Sequence, residues 1–273
     1  MLGKLIKYEF KATRKMFLMY GLLLVLAIVM ALSLRFSFRT DAGTIVDAAI
    51  RKAYLSGVAG FFVFIVSAAY AFMNAFIFAA VLFVAINRFR VNLLGNQGYL
   101  MHTLPVKAEH HILTKNIVSL VWTILGVISL LLSYVIIGVI LMDGKNLELL
   151  FRELFSSNTL RIIFSNAKLW ITLVELSVLT VISISELYFR IYASMAVGYS
   201  LNKHRAVASV GTFVALSIAK SMPHSIILTN IANLMYASSM DTLLIFEIGY
   251  AVVWGLVYYF ITAWFLNKRL NLQ

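Results

Sequence analysis

The sequence predicts an all-α integral membrane protein, with six membrane-spanning helices preceded by an amphipathic interfacial helix. Three observations carry that expectation. The chain is 62% hydrophobic and only 12% charged, with a mean hydropathy of +0.93, whereas soluble domains are roughly half apolar and a quarter charged. The apolar residues fall in long runs separated by short charged stretches, long enough to cross a hydrocarbon layer. Two prolines in 273 residues leave those runs unbroken, and the short alternating segments of a membrane barrel are missing.

The chain opens on a patterned basic segment, residues 1–15. Lys4, Lys7, Lys11, Arg14 and Lys15 fall within an arc of about 100° on a helical wheel, opposite Leu2, Leu5, Ile6 and Phe10. Such a helix lies in the membrane interface with its basic side towards lipid phosphates, so anionic lipids are expected partners. Glu9 breaks the pattern, because it points into the apolar arc. Either its carboxylate reaches water at a helix end, or it faces protein and pairs with a base there. The apolar run that follows is too long for the core of a cleaved signal peptide, so the segment reads as a retained anchor.

The six spans are expected at 16–34, 57–86, 117–141, 169–197, 206–222 and 243–266. The second would extend about 45 Å at roughly 1.5 Å per residue, against a hydrocarbon core of about 30 Å, so it tilts or projects beyond the bilayer. The loop after the third span, with Asp143, Lys145, Glu148, Arg152, Glu153, Arg161 and Lys168, has room for a short surface helix. Residues 223–241 are only mildly apolar and contain Asn230, Asn233 and Ser238, which suggests re-entrant or interfacial helices rather than a simple span. Six spans place both ends on one side. The basic bias of the first helix and the short loops puts that side in the cytoplasm.

Between the second and third spans, residues 87–116 form the expected cytoplasmic loop. It carries the run Asn96-Gln97-Gly98-Tyr99-Leu100-Met101-His102-Thr103-Leu104-Pro105, flanked by Arg88, Arg90, Lys107 and Lys115. Tyr99, Leu100 and Leu104 supply apolar knobs, Gly98 permits close approach, and Pro105 ends one element and can open the next helix. Packing under the protein's own helix ends would use the same residue types. Docking on a partner is the sharper reading.

Within the fourth span Thr172, Glu175, Ser183, Glu186, Arg190 and Ser194 form a polar stripe. Glu186 and Arg190 stand at i,i+4 with the acid first, the order that favours mutual neutralisation within a helix. Glu175 has no such partner, which leaves an outer gate or a cationic substrate open. Asn74 and Glu247 are isolated polar groups in spans, expected as links between helices. Trp170 and Trp264 suit interfacial anchoring.

Other chemistries find little footing. Without cysteine there is no thiolate metal site and no catalytic thiol. His110 and His111 are adjacent and diverge on a helix, so no metal site is expected. The net charge of +12 sits beside apolar segments rather than in a nucleic-acid-binding patch, so no nucleic-acid partner is expected. No serine, histidine and acid constellation is recognisable, so this chain is not expected to be an enzyme.

Four stretches, in order along the chain, carry a family resemblance. They are the opening Met1-Leu2-Gly3-Lys4-Leu5-Ile6-Lys7-Tyr8-Glu9-Phe10-Lys11-Ala12-Thr13, the run from Asn96 to Val106, Asn202-Lys203-His204-Arg205, and Leu266-Asn267-Lys268-Arg269-Leu270-Asn271-Leu272. Together with six spans, they resemble the permease subunits of type 2 ATP-binding-cassette (ABC) exporters of Gram-positive bacteria. The resemblance implies one permease domain over residues 1–273, paired with a second copy or a homologous permease in the bacterial plasma membrane. It also implies a separate ATPase subunit holding ATP and magnesium, with no cofactor in this chain. By the same resemblance the loop between the second and third spans carries the coupling helix; on that reading the basic first helix, with Lys4, Lys7, Glu9, Lys11 and Arg14, is expected to brace it. The chain has no G-x-x-x-x-G-K motif followed by Ser or Thr, so ATP-derived force would have to come from such a partner. The alternative is a non-transporting immunity or sensing subunit that binds a peptide or toxin at its outer loops.

Overall fold

The computed structural model describes residues 2–38, 57–95, 107–201, 204–234 and 240–268. The protein is an all-α membrane protein. Helix α1 is Leu2–Thr13, α2 Met16–Phe38, α3 Val58–Phe89, α4 Ala108–Leu141, α5 Gly144–Leu154, α6 Ser157–Ser165, α7 Ala167–Tyr199, α8 Arg205–Leu234 and α9 Met240–Lys268. Six of them, α2, α3, α4, α7, α8 and α9, are long and apolar enough to cross a membrane. Their outward faces are large and apolar, as at Phe61, Phe64, Phe72, Phe83 and Val207. A water-exposed patch of that extent would drive association, whereas lipid tails solvate it.

The expected boundaries need three corrections, all towards longer helices. The loop expected at 87–116 is much shorter among the described residues, because α3 continues to Phe89 and a π-helical turn follows at Arg90–Leu94. On its other side α4 begins at Ala108, not at 117. The fifth span does not stop at 222, since α8 runs through Pro223 to Leu234 where re-entrant segments were expected. The loop after the third span holds two surface helices, α5 and α6, instead of one.

The chain forms two compact units. The first comprises residues 1–12, 82–121 and 166–273, and the second residues 13–81 and 122–165. In the second unit Trp122 is the centre. Its indole N–H donates to Thr13 Oγ1 at 2.8 Å, and its carbonyl accepts from the Tyr20 hydroxyl at 2.7 Å. Phe17 meets the indole edge-on at 4.8 Å between ring centroids. Further along, the Tyr70 and Ser133 hydroxyls bond at 2.7 Å, and Arg35 donates to the Ile140 carbonyl at 2.8 Å, satisfying a group in the last turn of α4. The Tyr20, Tyr70 and Ser133 bonds give polar groups partners within apolar spans.

The first unit has its core around Phe89, Leu93, Ile112, Tyr188 and Tyr192, all nearly fully buried. Phe89 and Tyr192 stack with centroids 4.2 Å apart. Helix α7 is central here and packs along both α8 and α9. It approaches α8 so closely at Gly198 that a Cβ there would lie 2.5 Å from the Ser209 nitrogen and 2.6 Å from its Cα. Backbone cannot yield as a side-chain end can. Gly198→Ala is therefore expected to destabilise the fold by about 3 kcal/mol, at the upper end of overpacking costs, read as a lower unfolding midpoint of the purified chain in detergent.

Candidate functional site

Helix α1 has the two faces its sequence dictates. Lys4, Lys7 and Lys11 are exposed, as is Arg14 in the turn after it, while Leu5, Ile6 and Phe10 are half-buried. Glu9 belongs to the second face, and it faces protein. Its carboxylate receives a two-pronged contact from Arg88, with Nε to Oε1 at 2.9 Å and Nη2 to Oε2 at 3.0 Å. Lys115 Nζ adds a third bond to Oε1 at 3.1 Å. The planar guanidinium suits this bidentate grip.

The cluster is largely withdrawn from solvent, with side-chain exposures of 12% for Glu9, 6% for Lys115 and 31% for Arg88. Burial by itself pushes the Glu9 carboxyl up. The Arg88 hydrogen bond, the Lys115 and Arg88 charges and the Lys115 hydrogen bond together outweigh burial, and the carboxyl sits below its usual range. The acid is thus ionised at neutral pH and binds α1 to the end of α3 and the beginning of α4.

Those two helix ends bracket the 96–105 run. Asn96, Gln97, Gly98, Tyr99, Leu100, Leu104 and Pro105 lie outside the described residues, but their attachments are defined. On one side the π-helical turn buries Asn92, Leu93 and Leu94; such turns are rare and recur at functional positions. Gly95 follows with extended backbone, and a Cβ there would press against the Val91 and Arg90 carbonyls at 3.2 and 3.3 Å. On the other side Asn116 donates to Ser185 Oγ at 2.8 Å, and Ser119 and Tyr192 share a hydroxyl contact at 3.2 Å. The described helix ends on either side are therefore tied to α1 through Glu9 and to α7 through Asn116 and Phe89.

The polar stripe of α7 divides into two parts. Thr172 lines an open depression beside Asn166 and Lys168, and Glu175 is half-buried with Oε2 unpartnered among the described residues. Ser183 is half-buried. Glu186 and Arg190 form the expected pair, Nε to Oε1 at 3.8 Å, but a shorter contact binds the acid to α8, where Lys220 Nζ lies 2.7 Å from Oε2. Arg190 also reaches Ser217 Oγ at 3.4 Å and lies over the Phe213 ring at 5.2 Å. One turn beyond Lys220, His224 Nε2 meets Glu247 Oε1 at 2.8 Å, and the Tyr250 hydroxyl donates to the Lys220 carbonyl. Polar and charged side chains thus form a ladder across three helices, from Arg190 and Glu186 on α7 to Lys220 and His224 on α8 and Glu247 on α9.

Sequence reasoning missed Lys220 and His224 as members of this ladder. The available signal was a lysine inside an apolar span with no acid on its own helix. Glu247 links two helices as expected. Among the described residues Asn74 shows only a bond within its own helix, its amide donating to the Tyr70 carbonyl at 2.8 Å. Comparison with protein-family models, with curated proteins and with solved structures finds no match.

Proposed function

We propose that this chain is the membrane-spanning permease subunit of a type 2 ABC exporter. It sits in the bacterial plasma membrane with both termini in the cytoplasm, paired with a second copy or a homologous permease. ATP and magnesium bind in a separate ATPase subunit, and closure of two such subunits drives the 96–105 runs and, with them, α3 and α4. The observation that supports this reading best is the Glu9 latch. It joins a basic interfacial helix to both helix ends from which the docking run departs, so force applied at that run meets a braced base.

The test is co-purification with candidate ABC ATPase subunits expressed alongside this chain. Wild type is expected to retain the ATPase, and Tyr99→Ala combined with Leu104→Ala is expected to lose it while remaining folded, since apolar anchors of a docking element carry most of its binding. If the wild type retains no ATPase, the exporter reading fails, and a non-transporting immunity or sensing subunit takes its place.

A further inference from the structure

The first unit contains a cavity of about 380 Å³ that neither the latch nor the charge ladder uses. It lies among the end of α3, the last turns of α7 and the first turns of α8, with Ile86, Ile191, Met195 and Phe213 among its walls. Ser194 and Ser209 also line it, but their hydroxyls are turned to the Ile191 and Arg205 carbonyls of their own helices at 2.7 and 2.8 Å. The walls therefore present hydrocarbon.

Arg90 alone among the lining residues carries a charge, and it is exposed. One of its N–H groups serves Asn87 Oδ1 at 3.0 Å, and no ion pair neutralises it among the described residues. A second cation stands close by, with the Arg205 guanidinium 6.0 Å from the ring centre of Tyr199, itself a lining residue. A small apolar chamber with an unneutralised arginine at its edge is complementary to one kind of molecule, an acyl chain bearing an anionic head. The volume is near the lower end of small-ligand cavities, about 300 to 1,000 Å³, which favours a single chain over a bulky ligand. The surrounding helices span a bilayer, so the ready source of such chains is phospholipid.

We propose that this cavity holds one acyl chain of an anionic phospholipid, with Arg90 gripping the phosphate. The site does not depend on the exporter reading, because it would serve any membrane protein of this fold.

Native mass spectrometry of the full chain, released from detergent after equilibration with phosphatidylglycerol or with phosphatidylcholine of the same chains, tests it. Wild type is expected to retain phosphatidylglycerol preferentially, and Arg90→Gln to reduce that preference about fivefold, the effect of one basic side chain near a head group. Val210→Trp, which fills the cavity from an exposed position on α8, is expected to reduce retention of the preferred lipid as well. Equal retention of the two lipids by wild type would overturn the proposal. So would a preference that survives Arg90→Gln but disappears in Lys4→Gln/Lys7→Gln/Lys11→Gln, which would assign the head groups to α1. A Val210→Trp variant that retains lipid normally but loses self-association would place a second copy over the cavity and overturn it too.

Discussion

Glu186→Ala is expected to destabilise the protein by about 4 kcal/mol, the scale of removing one partner from a buried ion pair. The carboxylate is 3% exposed and lies between Lys220 at 2.7 Å and Arg190 at 3.8 Å. Without it the Lys220 and Arg190 cations lose the acid they share within apolar spans. Lys220→Met should cost less, because Glu186 keeps Arg190. The double variant Glu186→Ala/Lys220→Met should recover part of the loss, since the strongest unpaired charge is removed along with its acid. Unfolding midpoints of the four proteins in one detergent give the coupling. Equal losses in the single variants and their simple sum in the double would show that the 2.7 Å contact contributes nothing.

Glu9→Ala is expected to cost about 3 kcal/mol, far above the roughly 0 to 1 kcal/mol of a surface pair. Burial decides between those scales: Lys115 is 6% exposed, and removing Glu9 leaves it beside Arg88 with like charge. Because Arg88 is 31% exposed and can turn to water, the value belongs near the bottom of the buried-pair range. Pairing Glu9→Ala with Lys115→Met should restore much of the loss. Acid supplies a second check. The Glu9 carboxyl is held below its ordinary range, so its contribution is complete above that range and disappears as pH falls through the depressed value. The stability gap between wild type and Glu9→Gln should therefore be constant near neutrality and close on acidification. In the exporter reading, the same variant should weaken coupling to the ATPase while leaving the docking run itself unaltered.

Helix α1 shows how far local pattern reached towards the latch. The spacing of Lys4, Lys7 and Lys11 against Leu5, Ile6 and Phe10 defined both faces, and Glu9 stood out as an acid on the wrong one. A buried acid needs a base, so a partner could be anticipated but not identified. Arg88 lies 79 positions away and Lys115 106. Both flank the expected loop, because charged residues beside an apolar run ordinarily mark its end. Here both lie within helices, and contacts across the fold serve the polar groups, Glu9 for Arg88 and Lys115 and Ser185 for Asn116.

Residues 223–241 show the same limit of local pattern. Their mild apolarity, with Asn230, Asn233 and Ser238, suggests re-entrant or interfacial helices, and Pro223 removes one helical hydrogen bond besides. Yet α8 is fixed on both sides of it, by Lys220 to Glu186 and by His224 to Glu247, while Tyr250 donates to the Lys220 carbonyl. Neighbouring helices can supply what a proline removes within a span.

By itself the sequence determined the all-helical membrane class, the six apolar spans, the two faces of α1 and the acid-first Glu186–Arg190 pair. These follow from composition and from spacing within one helix, both of which are local sums over neighbouring residues. Only the tertiary structure decided where α3, α4 and α8 end, that Lys220 is the closer partner of Glu186, and that Glu9 ties α1 to Arg88 and Lys115. The physical reason is that a buried charge is stabilised by a partner, and for Glu9 and Glu186 that partner is supplied by packing between helices distant in sequence.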